Sequence, residues 1–278
     1  MKKFAYIMDS TLAVSPDQFA DLNVTVQPLY VIVNNQPSKD LYEISATEFY
    51  SALEEGLLAS TSQPSAGEFL ETYERLKADG YTDIFVFTIA GKLSGTNQSA
   101  QSAQSMIDGI NIHVIDTNTT TAIGSLVVKD VIAFAESNQD PQAVIDYAHD
   151  AFDRVEILVY VDNLDALKRG GRISAAQAAI GGLLQIKPLL SVNNGVIEVA
   201  TKERTFKKAI RKVVELSEKR PIEKVVLLHS SKDDLLQAIE ASFKEVYPDI
   251  TYEVADLSPV VGVHIGPHAC GLGILYKK

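Results

Sequence analysis

Two hydroxyl-rich segments, Thr61-Ser62-Gln63-Pro64-Ser65 and Ser94-Gly95-Thr96, each stand before a stretch with helical character. A helix N-terminus leaves its first N–H groups unpaired, so Ser and Thr there either cap the helix or help hold an anion. A carboxylate or a phosphate suits such a place. Late in the chain, Val263-His264-Ile265-Gly266-Pro267-His268 is followed closely by Cys270. Histidines four apart suggest zinc, but Gly266-Pro267 breaks the helix that would align them, and no metal is expected. His264 reads either as an imidazole donor to an anion or as a structural histidine.

Positive charge gathers in two places. Lys168, Arg169 and Arg172 flank Gly170-Gly171, while Arg204, Lys207, Lys208, Arg211 and Lys212 recur at helical spacing along one face. The lysines read as a solvated face, whereas Arg172, next to two glycines, is placed for a phosphate or carboxylate. Ser94 with His264 and Asp116 would suggest a serine hydrolase acting on an acyl ester. Against it, Lys92 occupies the first glycine of the G-x-S-x-G elbow. No ATP loop of the Walker type is present either: Gly91-Lys92 is followed by Leu93, and Val86 stands where the motif needs glycine.

These groups need a folded frame, and the composition supplies one. The 278 residues are 46% hydrophobic and 22% charged, which excludes a disordered or fibrous chain. With 25 Lys+Arg against 36 Asp+Glu, the net charge of −11 argues against nucleic acid as a partner. The single cysteine cannot close an intramolecular disulfide, and the opening residues lack the apolar core of a signal peptide, so a cytoplasmic location is expected. The apolar stretch 173–192 is interrupted by Gln177, Gln185, Lys187 and Pro188, so no membrane span is expected. It is hydrophobic nearly all round, which means burial or the wall of an apolar pocket. Ile173, Ala176, Ile180, Leu183, Leu184 and Ile186 are its wall candidates.

Periodicity predicts strands near 4–8, 24–33, 83–88 and 111–115, with helices over 46–58, 66–78, up to 106, 121–135 and 141–150. Beyond a boundary near 155 come a strand at 155–161, a hairpin across Asn193-Asn194-Gly195 and a helix over 204–218. A strand, helix and strand follow at 224–229, 233–246 and 251–255. A glycine-punctuated tail, 261–273, leads into a last strand at 274–276. The alternation is that of an α/β protein.

Asp9-Ser10-Thr11, Thr61-Ser62-Gln63-Pro64-Ser65, Leu93-Ser94-Gly95-Thr96, Ile115-Asp116-Thr117, Lys168-Arg169-Gly170-Gly171-Arg172-Ile173, Lys187-Pro188 with Asn194-Gly195, and Val263-His264-Ile265-Gly266-Pro267 follow one another in a specific order. In that order and spacing, and over essentially the whole chain, the sequence resembles the DegV family, bacterial fatty-acid-binding proteins that serve as the lipid-carrying subunit of fatty acid kinase. The resemblance implies a two-domain DegV-like fold: an N-terminal Rossmann-like domain, 1–155, with a parallel sheet, and a C-terminal α/β domain, 156–278, with a mixed sheet. A ligand tunnel lies between or adjoining the two.

It further implies a long-chain fatty acid as ligand, its tail buried and its carboxylate met by Thr61, Ser62, Ser94, Gly95, Thr96 and His264. Arg172 and Arg204 become phosphate-positioning candidates in the encounter with an ATP-binding fatty acid kinase subunit, which makes the acyl phosphate used in phospholipid metabolism. The chain itself would carry no catalytic residue and no cofactor, and would touch membrane enzymes only transiently. Where the family commonly has glycine after the glycine-proline pair, this chain has His268. A regulatory module for another anionic lipid remains the other alternative to the hydrolase.

Overall fold

The computed structural model describes residues 3–173 and 186–278. In chain order, the first half runs β1 (Phe4–Asp9), β2 (Val24–Gln27), β3 (Tyr30–Val33), β4 (Gln36–Lys39), α1 (Ala46–Glu54), β5 (Ser60–Ser62) and α2 (Ala66–Ala78). It continues with β6 (Asp83–Thr88), α3 (Thr96–Gln104), β7 (Asn111–Asp116), α4 (Ile123–Ser137) and α5 (Pro141–Phe152). The second half runs β8 (Val155–Val161), α6 (Asp165–Arg169), β9 (Lys187–Asn193), β10 (Val196–Glu203) and α7 (Phe206–Ser217). It ends with β11 (Ile222–His229), α8 (Asp233–Val246), β12 (Glu253–Asp256), α9 (Pro259–Ile265) and β13 (Ala269–Tyr276).

Strand β6 is buried at every position, as a central strand covered on both faces must be, and its run Ile84-Phe85-Val86-Phe87 supplies the apolar surface. It lies in a parallel sheet of order β2-β1-β6-β7. The second sheet, of order β10-β9-β8-β13-β11-β12, is mixed: the β11–β12 pair is parallel and the other pairs antiparallel. A small antiparallel sheet, β4-β3-β5, turns at Asn34-Asn35, both at positive φ as a two-residue hairpin turn requires.

These elements stack in layers. Helices α2 and α3 set Phe69, Tyr73, Ala100 and Ala103 against Ala5, Ile7, Ile84 and Val86 on one face of the parallel sheet. On its other face α4 and α5 fill the space before the mixed sheet. Met8, Phe85, Phe87, Val127, Val131, Ile157 and Val159 therefore share one core. Helices α7 and α8 close the far face of the mixed sheet, with Ile210, Val213, Ile239 and Phe243 on Leu158, Leu227 and Leu272. The basic side of α7, Lys207, Lys208 and Arg211, is exposed. This is the α/β architecture with one parallel and one mixed sheet.

Three expectations change. The stretch 24–33 is two strands that part at Pro28-Leu29 and join different sheets, β2 beside β1 and β3 beside β4 and β5. The tail 261–273 is not a loop: Ser258 caps α9 and Pro259 begins it, so that helix lies where glycines suggested irregular chain. The last strand is eight residues long, buried throughout and inside the mixed sheet. Its glycines reflect close approach, since a β-carbon at Gly271 would strike the backbone of β8, and one at Gly273 the side chain of Ile123. Among the described residues no helix is long and apolar enough to cross a membrane.

Candidate functional site

Thr61 and His264 come from opposite ends of the chain and meet. Strand β5 points Thr61 inward while its neighbour Ser62, on the alternate side, is exposed and hydrogen-bonds the Gln63 carbonyl. The Thr61 hydroxyl lies 2.9 Å from His264 Nε2. His264 sits in the last turn of α9, which stops at Gly266 with φ of 83°. Where α9 begins, the buried Asp40 carboxylate accepts the Val260 N–H at 3.2 Å and the Ser10 hydroxyl at 2.7 Å. Ser10 accepts the Leu29 N–H in turn, at 3.0 Å. Burial pushes the Asp40 carboxyl up to about 6 and the fully buried Asp9 likewise to about 6. Asp9 accepts N–H groups of Ile89 and Thr11. The Asp9-Ser10-Thr11 run therefore holds backbone in place rather than facing a ligand.

On its other side the imidazole presses on Gly170, where a β-carbon would overlap His264 Nδ1. That nitrogen is buried and has no partner among the described residues. Burial, then the nearby Arg172 guanidinium, pushes the His264 ring down to about 4, so it is neutral at physiological pH. Arg172 is itself anchored, Nε donating to the Leu93 carbonyl at 3.1 Å and Nη1 to the Gly170 carbonyl at 2.6 Å. These two bonds use two of its five N–H donors. Ser94, in the loop after β6, shares a 2.9 Å hydrogen bond with the buried Thr96 hydroxyl and accepts the Thr96 N–H. The Gln63 side chain lies on Gly95, bringing the two hydroxyl segments into contact. Ser65, by contrast, caps α2 in a capping box with Glu68.

Thr61, Ser94, Arg172 and His264 stand together on a cavity of about 770 Å³, counting its open mouth. The rest of the wall is nearly all carbon: Ile157 and Val159 from β8, Leu190 and Val192 from β9, and Ile197 from β10. Ser94 and Arg172 also line an adjoining polar cleft with Lys92, Gly95, Gly171 and Gly195. They thus stand between an apolar chamber and a polar one.

Other predicted residues lie elsewhere. Arg204 is exposed at the end of β10 away from Ile197, seven residues along and on the order of 20 Å off, and lines neither space. Ile173 is buried in the common core and Ile186 half-buried, but neither is on the cavity wall, while Ala176, Ile180, Leu183 and Leu184 lie outside the described residues. Part of the described wall comes from alternate residues of β8 and β9, a period-two signal the apolar run overshadowed, and Val260, Val261 and Ile265 of α9 supply another part. Ser94 does not form a triad: His264 is bonded to Thr61, and the Asp116 carboxylate accepts the Gly91 and Asn118 N–H groups. His268 is half-exposed beside Glu54, and Cys270 is buried in β13. Thr120 and Thr121, missed from sequence, also line the cavity, though the rule applied to Ser94 would have found them. Asp40 gave no signal, being 220 residues from the helix it holds.

A model of the DegV family, described as uncharacterised proteins, matches residues 3–277. The chain belongs to the DegV family. A DegV domain-containing protein of Halalkalibacterium halodurans is 32% identical over 100% of both chains, and one of Staphylococcus aureus is 33% identical over 99% of this chain and 98% of its own. Among solved structures, DegV of Bacillus subtilis, described as a fatty acid binding protein, superposes with a TM-score of 0.89 at 28% identity over 100% of both chains. A DegV protein of Thermus thermophilus, described by its fatty acid binding, gives 0.88 at 30% identity over 99% of this chain and 100% of its own. In this DegV chain, then, polar side chains gather at one corner of a largely apolar cavity.

Proposed function

We propose that this DegV chain holds a long-chain fatty acid with its tail in the apolar cavity and presents the carboxylate to a separate ATP-dependent kinase subunit, which forms the acyl phosphate. The observation that carries this reading is the placement of Thr61, Ser94, Arg172 and His264 at one corner of a carbon-walled cavity. The fatty-acid binding described for the Bacillus subtilis and Thermus thermophilus relatives supports it. Burying some 15 methylenes at about 0.8 kcal/mol each gives roughly 12 kcal/mol gross. Each charge-assisted hydrogen bond to the head group nets only about 1.5 to 3 kcal/mol. The tail therefore supplies affinity and the head group orientation, with ordering costs removing part of the sum.

A neutral His264 fits an acceptor ligand, since one ring nitrogen carries a hydrogen and no second positive charge crowds Arg172. Phosphoryl transfer concentrates negative charge on the migrating group, and Arg172, facing both chambers, would neutralise it as the kinase brings its phosphate through the polar cleft. Native mass spectrometry of freshly purified protein tests the first part: retained mass equal to one C16–C18 fatty acid is expected, and a bare chain that also ignores added fatty acid overturns it. For the second part, Arg172→Ala should still retain fatty acid but lower acyl phosphate formation with the kinase. Unchanged turnover would remove Arg172 from transfer.

A further inference from the structure

Strand β7 leads into a hydroxyl-rich turn, Thr117-Asn118-Thr119-Thr120-Thr121, and its threonines divide sharply. The Thr117 hydroxyl donates to the Thr88 carbonyl at 2.8 Å, and that of Thr119 to the Thr120 carbonyl at 3.4 Å. The hydroxyls of Thr120 and Thr121 are buried and have no partner among the described residues. Both residues are more than nine-tenths buried, at 7% and 5% exposure, and both line the apolar cavity. Valine would fill the same space without an unpaired O–H. Thr121 also holds φ at 66°, a conformation β-branched residues rarely adopt. An unsatisfied polar group and backbone strain at one point of a cavity wall mark a place built to meet something.

The turn is bonded to the loop that carries Ser94, Thr119 accepting the Ala90 N–H at 2.9 Å and Ala90 the Ser94 N–H at 3.2 Å, and from there it leads on to the mixed sheet. Two residues after Thr121, Ile123 packs over Gly273 of β13, which pairs in register with Ile157 of the cavity wall. The threonine pair therefore overlies the mixed sheet, whereas Thr61, His264 and Arg172 come from β5, α9 and the segment after α6. Helix α4 begins just behind it, and its N-cap Ala122 supplies no side-chain bond. Arg172 is the one charged side chain on the described wall, His264 being neutral, so a second full anion would lack a counter-charge at the threonines. A neutral oxygen, able to accept from one hydroxyl and, as a hydroxyl, to donate to the other, fits.

We propose that the cavity prefers an acyl chain bearing a hydroxyl or oxo group along its length over an unsubstituted chain, with Thr120 and Thr121 as the specificity-determining residues. This rests on the reading of the cavity as a fatty-acid site. The test is competition on the delipidated full-length chain, read by native mass spectrometry. Octadecanoic acid is set against its 3-, 10- and 12-hydroxy and 10-oxo derivatives. At least one derivative should win by about tenfold, equivalent to about 1.4 kcal/mol. In Thr120→Val the ratio should fall to within twofold, octadecanoic acid itself binding more tightly. Thr121→Gly, which suits the positive φ, should do the same without the folding risk of a β-branched replacement. If no derivative outcompetes octadecanoic acid, or the preference survives both substitutions, the proposal is overturned while the fatty-acid reading stands. A chain that takes none of the five compounds overturns both.

Discussion

The head-group corner and the apolar wall of the same cavity are built in opposite ways. Thr61, Ser94, Arg172 and His264 each come from a different element and are set by long-range contacts: Thr61 to His264, Arg172 to Leu93 and Gly170, and α9 to Asp40. One side of the described wall rests on two neighbouring antiparallel strands, β8 and β9, whose alternate residues face inward by the pleat alone, while loops and α9 supply much of the rest. A wall of this kind tolerates changes of shape, because burial has no direction. The corner does not, because hydrogen bonds fail over fractions of an ångström. Affinity and orientation are thereby assigned to parts of the molecule with different sensitivity.

That contrast breaks most visibly with charge placed on the wall. Val159→Asp puts an unpaired carboxylate among carbon atoms, and fatty-acid affinity by competition should fall by about 100-fold or more. The corner is tested next by adjacent glycines. Gly170 has an ordinary φ of −75° but no room beside His264, whereas Gly171 has room and a φ of 70°. Gly170→Ala should weaken fatty-acid binding by about tenfold through displacement of the imidazole. Gly171→Ala should leave binding within about twofold but lower unfolding stability by about 1 kcal/mol. Equal effects from both would show that the His264–Gly170 contact does not set the corner.

Acid acts on the corner and on the buried carboxyls behind it. His264 is held near 4 in the fold against 6.5 in an ordinary setting. Between those values the unfolded chain binds a proton that the native ring refuses, so this ring costs stability as pH falls from 6.5 towards 4. Asp9 and Asp40, raised to about 6 from 3.8, act the other way: below pH 6 the native carboxyls take up protons before the unfolded ones, and that gain offsets the loss. The wild type minus His264→Gln difference isolates the ring. By denaturant titration the wild type should lose about 2 kcal/mol relative to the variant between pH 7 and pH 5, and parallel curves would contradict the burial of a neutral imidazole. The smallest effect is that of Thr61→Val, which removes one neutral hydrogen bond to His264 and should weaken binding by about threefold without changing the wall.

Much of this frame was legible in sequence because it is local. The buried run of β6, the Ser65 cap with Glu68, the Asn193-Asn194-Gly195 hairpin and the hydroxyl segments each declare themselves within a few residues. What was misread depends on distance. Gly271 and Gly273 look like loop glycines until β8 and Ile123 are seen against them. Arg204, a candidate for the kinase encounter, is exposed and lines neither the cavity nor the cleft. The apolar segment from Ile173 drew attention as a wall, although on the described part the wall includes strand residues whose alternation is weaker to the eye.

By itself, the sequence determined which segments form strands and helices, and which side chains carry oxygen, imidazole or guanidinium, since propensity, capping and pleat act between near neighbours. Only the tertiary structure decided that Thr61 touches His264, that Asp40 holds the helix bearing it, and that two threonines on a largely carbon wall have hydroxyls with no partner among the described residues. Those outcomes depend on the packing of three sheets and several helices at once. Hydrogen-bond partners and empty volume exist only after every layer has been placed.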